Sequence, residues 1–206
     1  MTPIIILAHG SRHQQAPADL DSLRRSVAES SGRRVELAFL DLCLPSIDQV
    51  CAQLHAEGED QAVVVPLLFT SAYHHTVDVV QALHNQPIAL HCTDLIGTGE
   101  DVARLVSAPK GCTHLLYAVG SSNHEANQTV RELAASIGAQ AVFATGVDKH
   151  DLTQVVKGYE SVHISPLFFA NGLLLDKARA ALAQHTHVSF APPLAHRAAS
   201  VVLARL

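Results

Sequence analysis

The sequence has no apolar run near the ~18 residues that a membrane span requires. Its first apolar segment, Pro3–Ala8, is too short for a secretory signal and lacks the basic flank. A soluble, cytoplasmic protein with no membrane partner is expected. There is no surplus of basic charge either: 14 Lys and Arg stand against 19 Asp and Glu, a net charge of −5. Surfaces that bind nucleic acid carry the opposite balance, so nucleic acid is not an expected partner. The four cysteines, Cys43, Cys51, Cys92 and Cys112, form no C-x-x-C pair. They read as reduced, mostly buried thiols, with no disulfide frame or zinc knuckle. Tryptophan is absent, which excludes nothing. What is present is 48% hydrophobic and 16% charged content over 206 residues. That composition excludes disorder and a disulfide miniprotein and allows one large domain or two of about 100 residues each.

The apolar pattern alternates between strand and helix. Pro3–Ala8, Val35–Leu40, Gln61–Leu68 and Ile88–His91 read as strands. Between them, Leu20, Leu23 and Val27 form a helical stripe that ends at Gly32, and Ser46 with Gln49 resembles a capping box before Ile47, Val50 and Leu54. A helix start near Thr76–Asp78 and a helix over Asp94–Val106 are also expected. The second half repeats the plan. Strands are expected at His114–Val119, Gln140–Thr145, Ser161–Phe168 and His187–Phe190, and helices at Asn123–Ile137, Asp151–Val156, Leu173–Ala183 and Pro193–Ala204. Such alternation implies right-handed crossovers and parallel sheets.

An internal repeat runs through this plan. Pro66-Leu67-Leu68-Phe69 matches Pro166-Leu167-Phe168-Phe169, and Gly10-Ser11 matches Gly120-Ser121. The expected fold is α/β, with two similar halves, 1–110 and 111–206, mainly parallel sheets and a linker at Pro109-Lys110-Gly111. Open parallel sheets bind ligands beyond the carboxyl ends of their strands, so a cleft between the halves is the expected site.

Histidine is the unusual residue: there are 14. Most are scattered without shared spacing. His9 directly follows the first strand, and His74 and His75 follow the third through Phe69-Thr70-Ser71-Ala72-Tyr73. In the repeat, His9 matches Val119 and His74 matches Leu174. Apolar residues therefore satisfy the architecture there, and histidines in those places point to chemistry. Two imidazoles at one cleft suit a borderline divalent metal such as Co²⁺, Fe²⁺, Ni²⁺ or Zn²⁺, with further ligands from substrate or water. In an extended chain only one of His74 and His75 faces the cleft.

The segments Ile6-Leu7-Ala8-His9-Gly10-Ser11-Arg12, Val35–Asp41 with Pro45-Ser46, and Val64–His74 resemble the class II tetrapyrrole chelatases of the sirohydrochlorin type, cobaltochelatase or ferrochelatase, in their two-domain form. These motifs lie within residues 4–83; the second half resembles that family's degenerate repeat. The resemblance implies a chelatase fold of two similar α/β halves around a cleft. It implies an ATP-independent lyase that inserts Co²⁺ or Fe²⁺ into sirohydrochlorin, in cobalamin or siroheme biosynthesis. It implies metal binding by His9 and His74 as the catalytic pair, with His9 as proton acceptor. Ser11, Arg12, Phe69, Thr70, Ser71, Ala72 and Tyr73 are the expected substrate contacts. The metal is substrate; no organic cofactor and no iron–sulfur cluster are expected, and the protein is read as a monomer.

Two positions depart from the family pattern. Leu44 stands where a substrate-touching Glu is common, and Ala72 where Gly is common. A non-enzymatic carrier of metal or tetrapyrrole would use the same two histidines. A nucleotide-binding reading of the Gly10-Ser11 turn fails for want of G-x-G-x-x-G or G-K-[ST].

Overall fold

The computed structural model describes residues 1–70 and 79–206. Strands β1 (Ile4–Ala8), β2 (Val35–Phe39), β3 (Gln61–Pro66) and β4 (Ala89–Cys92) pair in parallel in the order β2-β1-β3-β4. β1 is buried along its whole length, as its unbroken apolar run requires. Its side chains alternate between two faces. Ile5 and Leu7 join Ala62 and Val64 of β3 and the buried stripe Ile47, Val50, Cys51 and Leu54 of α2 (Ile47–Ala56) in one apolar cluster. Ile4 and Ile6 point to the other face, where α1 (Ala16–Ser31) lays down Leu20, Leu23 and Val27. α1 ends at Gly32, whose N–H bonds the Ala28 carbonyl. α2 opens on the capping box foreseen at Ser46: Ser46 Oγ accepts from Gln49 N, and Gln49 Oε1 accepts from Ser46 N. Residues 79–83 are helical (α3); the helix start expected near Thr76–Asp78 lies outside the described residues.

The second sheet repeats the first. β5 (Thr113–Ala118), β6 (Gln140–Phe143), β7 (Val162–Pro166) and β8 (Val188–Phe190) lie in the order β6-β5-β7-β8, again all parallel. Helices α5 (His124–Ser136), α6 (Leu152–Val156) and α7 (Leu173–Ala181) alternate with them. Register is kept as well as order. Leu7 pairs with Pro66 and Tyr117 with Pro166. The next residue, Leu67 or Leu167, donates its N–H to the carbonyl of Leu7 or Tyr117 at 2.8 Å. Two similar α/β halves with parallel sheets are thus what the chain forms.

The compact units do not follow a single cut at residue 110. One unit is Met1–Gly97 with Ala195–Leu206; the other is Thr98–Leu194. The helix after the last strand of each sheet belongs to the other unit. α4 (Glu100–Ala103) packs on α5, while the 3-10 turn Ala195–Ala198 and α8 (Ala199–Leu203) pack on α1. The closing segment of unit 1 is further tied by Arg205, whose guanidinium donates to the carbonyls of Leu95, at 2.9 Å, and Ile96.

Several expectations change in detail. The helix expected over 94–106 is confined to Glu100–Ala103. Gly97, with φ 72, turns the chain, and its N–H bonds the Leu68 carbonyl at 3.1 Å, so the segment before it follows the sheet instead. The closing helix expected over 193–204 begins as a 3-10 turn at Ala195. All four cysteines are free, but only Cys51 is buried, and burial pushes its thiol up to about 11. Cys43 and Cys112 are half-buried and Cys92 is exposed. Among the described residues no helix is long and apolar enough to cross a membrane.

Candidate functional site

β1 and β3 are neighbours, yet the chain leaves β1 toward β2 on one side and returns to β3 on the other. This is the switch point at which open parallel sheets take ligands. His9 follows β1 there and is exposed; Phe69 and Thr70 follow β3 and are half-buried. His74, and with it Ser71, Ala72, Tyr73 and His75, lies outside the described residues. The structure therefore brings His9 and the start of the β3 loop to one end of one sheet.

The turn carrying His9 is clasped by the loop after β2. Leu40 N donates to Ala8 O at 2.9 Å, and Asp41 N donates to His9 O at 2.9 Å. One residue further the clasp passes to a thiol. Ser11 N donates to Cys43 Sγ at 3.3 Å, and Cys43 Sγ donates back to Ser11 O at 3.0 Å. Nothing in the sequence marks Cys43 for this: it lies 32 positions from Ser11 and belongs to no motif. Beside it, Leu42 and Leu44 are 44% and 74% exposed, an apolar lip on the same loop. Ser11 does not cap α1, whose N-cap is Gln15 with no side-chain cap bond. Its hydroxyl instead accepts from His13 N at 3.1 Å, closing a local turn. Arg12 is exposed.

Unit 2 keeps the turn and changes the chemistry. Ala144 N and Thr145 N donate to Ala118 O and Val119 O, reproducing the clasp, and Val119 stands in place of His9, 45% exposed. The thiol is replaced by an amide from α5. Ser121 N donates to Asn127 Oδ1 at 2.8 Å, and Asn127 Nδ2 donates to Ser121 O at 3.0 Å and to Asp148 Oδ2 at 2.7 Å. The Asn127 and Arg131 donors hold the Asp148 carboxyl below its usual range. A cavity of about 530 Å³ opens beside them, lined by Arg131, Gln140, Ala141, Asp148, Lys149 and His150; it contains none of the expected site residues.

The scattered histidines are not uniform. His114 is 7% exposed, and its Nε2 lies 2.9 Å from Ser165 Oγ. Burial first, then neighbouring His163, holds its pKa below the ordinary value. Burial also lowers His163, whose Nδ1 lies 2.9 Å from Ser189 Oγ. His114 and His163 are register partners on β5 and β7, so their side chains share one face of the sheet. Among the described residues no group of three or more His, Cys, Asp or Glu is placed to hold a metal.

Known proteins agree with this architecture. The chain is 26% identical over 88 residues to a sirohydrochlorin cobaltochelatase of Methanopyrus kandleri, and the match takes in 62% of that protein's length, under two thirds. It is 26% identical over 110 residues to a sirohydrochlorin cobaltochelatase of Sulfurisphaera tokodaii, taking in 88% of that protein. The structure of SirB from Bacillus subtilis with Fe³⁺ superposes with a TM-score of 0.79 at 20% identity, covering 100% of this chain and 94% of that one. The sirohydrochlorin chelatase SirB from Bacillus subtilis subspecies spizizenii, in complex with cobalt, gives 0.76 at 18%, with the same coverage. At such identities the likeness is one of fold. The sequence model of the CbiX family matches residues 3–108, from β1 through α4 and just over half of the 206 residues, and the chain therefore belongs to the CbiX family.

Proposed function

We propose that this protein inserts a divalent metal, Co²⁺ or Fe²⁺, into sirohydrochlorin without ATP. The observation that supports the reading is His9: an exposed imidazole within the residues that the CbiX model matches, at the switch point of a parallel sheet, where the structural repeat has Val119. His9 and His74 bind the incoming ion, and His9 is the proton acceptor. Metalation must remove two pyrrole N–H protons while the ion sheds water. A neutral imidazole can do either task near pH 7. Holding ion and ring together converts a bimolecular encounter into a positioned step.

The ring needs a face and its carboxylates need donors. Leu42, Leu44 and Phe69 offer apolar surface at the same end of the sheet, and Arg12, Ser11 and Thr70 offer polar groups. Ser71, Ala72 and Tyr73, which precede His74 in the sequence, are proposed as further contacts. Because the protein is net negative, long-range attraction does not bring in a polycarboxylate; local donors hold it.

The test is anaerobic. Sirohydrochlorin is mixed with Co²⁺, Fe²⁺ or Ni²⁺, and its absorption spectrum is followed with and without protein. Metalation faster than the protein-free blank with Co²⁺ or Fe²⁺ is expected. A spectrum that shifts stoichiometrically on binding, with metalation at the blank rate, would make the protein a carrier.

A further inference from the structure

We propose that Cys43 is a positioning residue for His9, acting through the backbone of Ser11. The inference rests on the metal-insertion reading for its kinetic consequence, but its geometry stands independently. Residues 8–11 are held to the loop after β2 at three successive points. Two are backbone bonds, Leu40 N to Ala8 O and Asp41 N to His9 O, each 2.9 Å. The third is Cys43, whose sulfur accepts from Ser11 N and donates to Ser11 O. A thiol carries one weak donor and a weak acceptor, and here it uses both on one residue. His9 is thus fixed on both sides, its own carbonyl held by Asp41 and the next side-chain-bearing residue held by the thiol. Between them lies Gly10, which has no Cβ to restrict its dihedrals. Without the thiol, the turn after His9 keeps, of these ties, only the Asp41 N–H bond to the His9 carbonyl. That single bond, now carrying the motion of the freed Gly10–Ser11 segment, holds the His9 backbone, and with it the imidazole, less firmly.

The repeat supplies an independent observation. In unit 2 the equivalent Ser121 has the same two backbone groups satisfied by one side chain, the amide of Asn127, which is 1% exposed. Asn127 comes from a helix, whereas Cys43 comes from the loop after β2. Two unrelated side chains on different elements make the same donor–acceptor pair. The requirement is therefore for a closed turn at that point, met twice. In unit 2 the turn presents Val119, an aliphatic side chain; in unit 1 it presents the imidazole whose aim decides the chemistry.

The test compares Cys43→Ala, which removes both bonds, with Cys43→Ser, which keeps a donor and an acceptor. Cys112→Ala, which removes a thiol bonded to Pro109 O in unit 2, controls for loss of a thiol as such. Cys43→Ala should lower kcat for metalation about five- to tenfold, with KM for sirohydrochlorin little changed. Cys43→Ser should restore at least half of kcat, and Cys112→Ala should match the parent. The second readout needs no turnover: the imidazole resonances of His9 by NMR should shift or broaden in Cys43→Ala and return in Cys43→Ser. If the parent itself fails to accelerate metalation, the functional reading fails, and the resonances still decide whether Cys43 sets His9. His9 resonances and kcat that are alike in all variants would overturn the proposal. So would a loss in Cys43→Ala that follows its thermal unfolding and is shared by Cys43→Ser.

Discussion

The carbonyl oxygen of Asp41 occupies the space that a side chain on residue 10 would need: a Cβ built on Gly10 would fall 1.8 Å from it. Gly10 also has φ 104, a region L side chains rarely adopt. Gly10 is thus a contact between two loops. Gly10→Ala should push the loops apart, cost roughly 2 kcal/mol or more of stability, and reduce metalation by moving His9. The twin position, Gly120, would meet Thr145 O at 2.3 Å. Gly120→Ala should destabilise comparably while folded molecules keep their turnover. Urea midpoints and specific activities of the two variants, measured together, check this.

Alanine variants of three histidines test the chemistry. His9→Ala should abolish catalysed metalation, because it removes the proposed ligand and proton acceptor. His74→Ala should weaken Co²⁺ binding and lower the rate. His75→Ala is expected to be close to the parent, because the family resemblance carries metal binding to His74 and not to His75. Equal losses at His74 and His75, or normal turnover without His9, would defeat the assignment.

Acid should weaken the second unit through His114. Its pKa lies below the ~6.5 reference, mainly because of burial and secondarily because of His163. As pH falls through about 6.5 the unfolded chain takes up the proton first, and stability declines with it; above that value the contribution is complete. The urea midpoint of the parent should be lower at pH 5.5 than at pH 7.5, and His114→Gln should narrow the difference. An unchanged difference would remove His114 from the account.

Asn127 provides the stability test of the second turn. Asn127→Ala would leave Ser121 N without its acceptor and take a donor from Asp148. A loss of about 2 kcal/mol is expected from a buried, fully bonded amide. Specific activity corrected for the folded fraction should stay near the parent value, measured by paired denaturation and turnover assays.

Much of this architecture was legible from one sequence because its signals are local. The apolar runs of β1, β2 and β3, the stripe of α1 and the Ser46 capping box each depend on neighbouring residues, and each formed where expected, within one or two residues. His9 stands out in the sequence because the repeat sets Val119 against it. The sequence reading extends the Asp94–Val106 helix too far because Gly97 N–H bonds the carbonyl of Leu68, 29 residues away in the loop after β3. Cys43 was invisible for the same reason: its partner is remote in sequence and is backbone, which no side-chain pattern reports. His114 looked like any other histidine until its register with β7 buried it.

The exchange of closing helices gives the polypeptide an interlaced connectivity. A protease that nicks the chain around residues 104–112, within unit 2, leaves two fragments, and neither owns a complete unit. The amino-terminal piece still carries α4 of unit 2, and the carboxyl-terminal piece still carries residues 195–206 of unit 1. Val201 and Val202, at most 1% exposed, would have to leave the first unit's interior before the pieces could part. Such a nicked molecule should run as two bands under denaturing conditions and as one species under native ones.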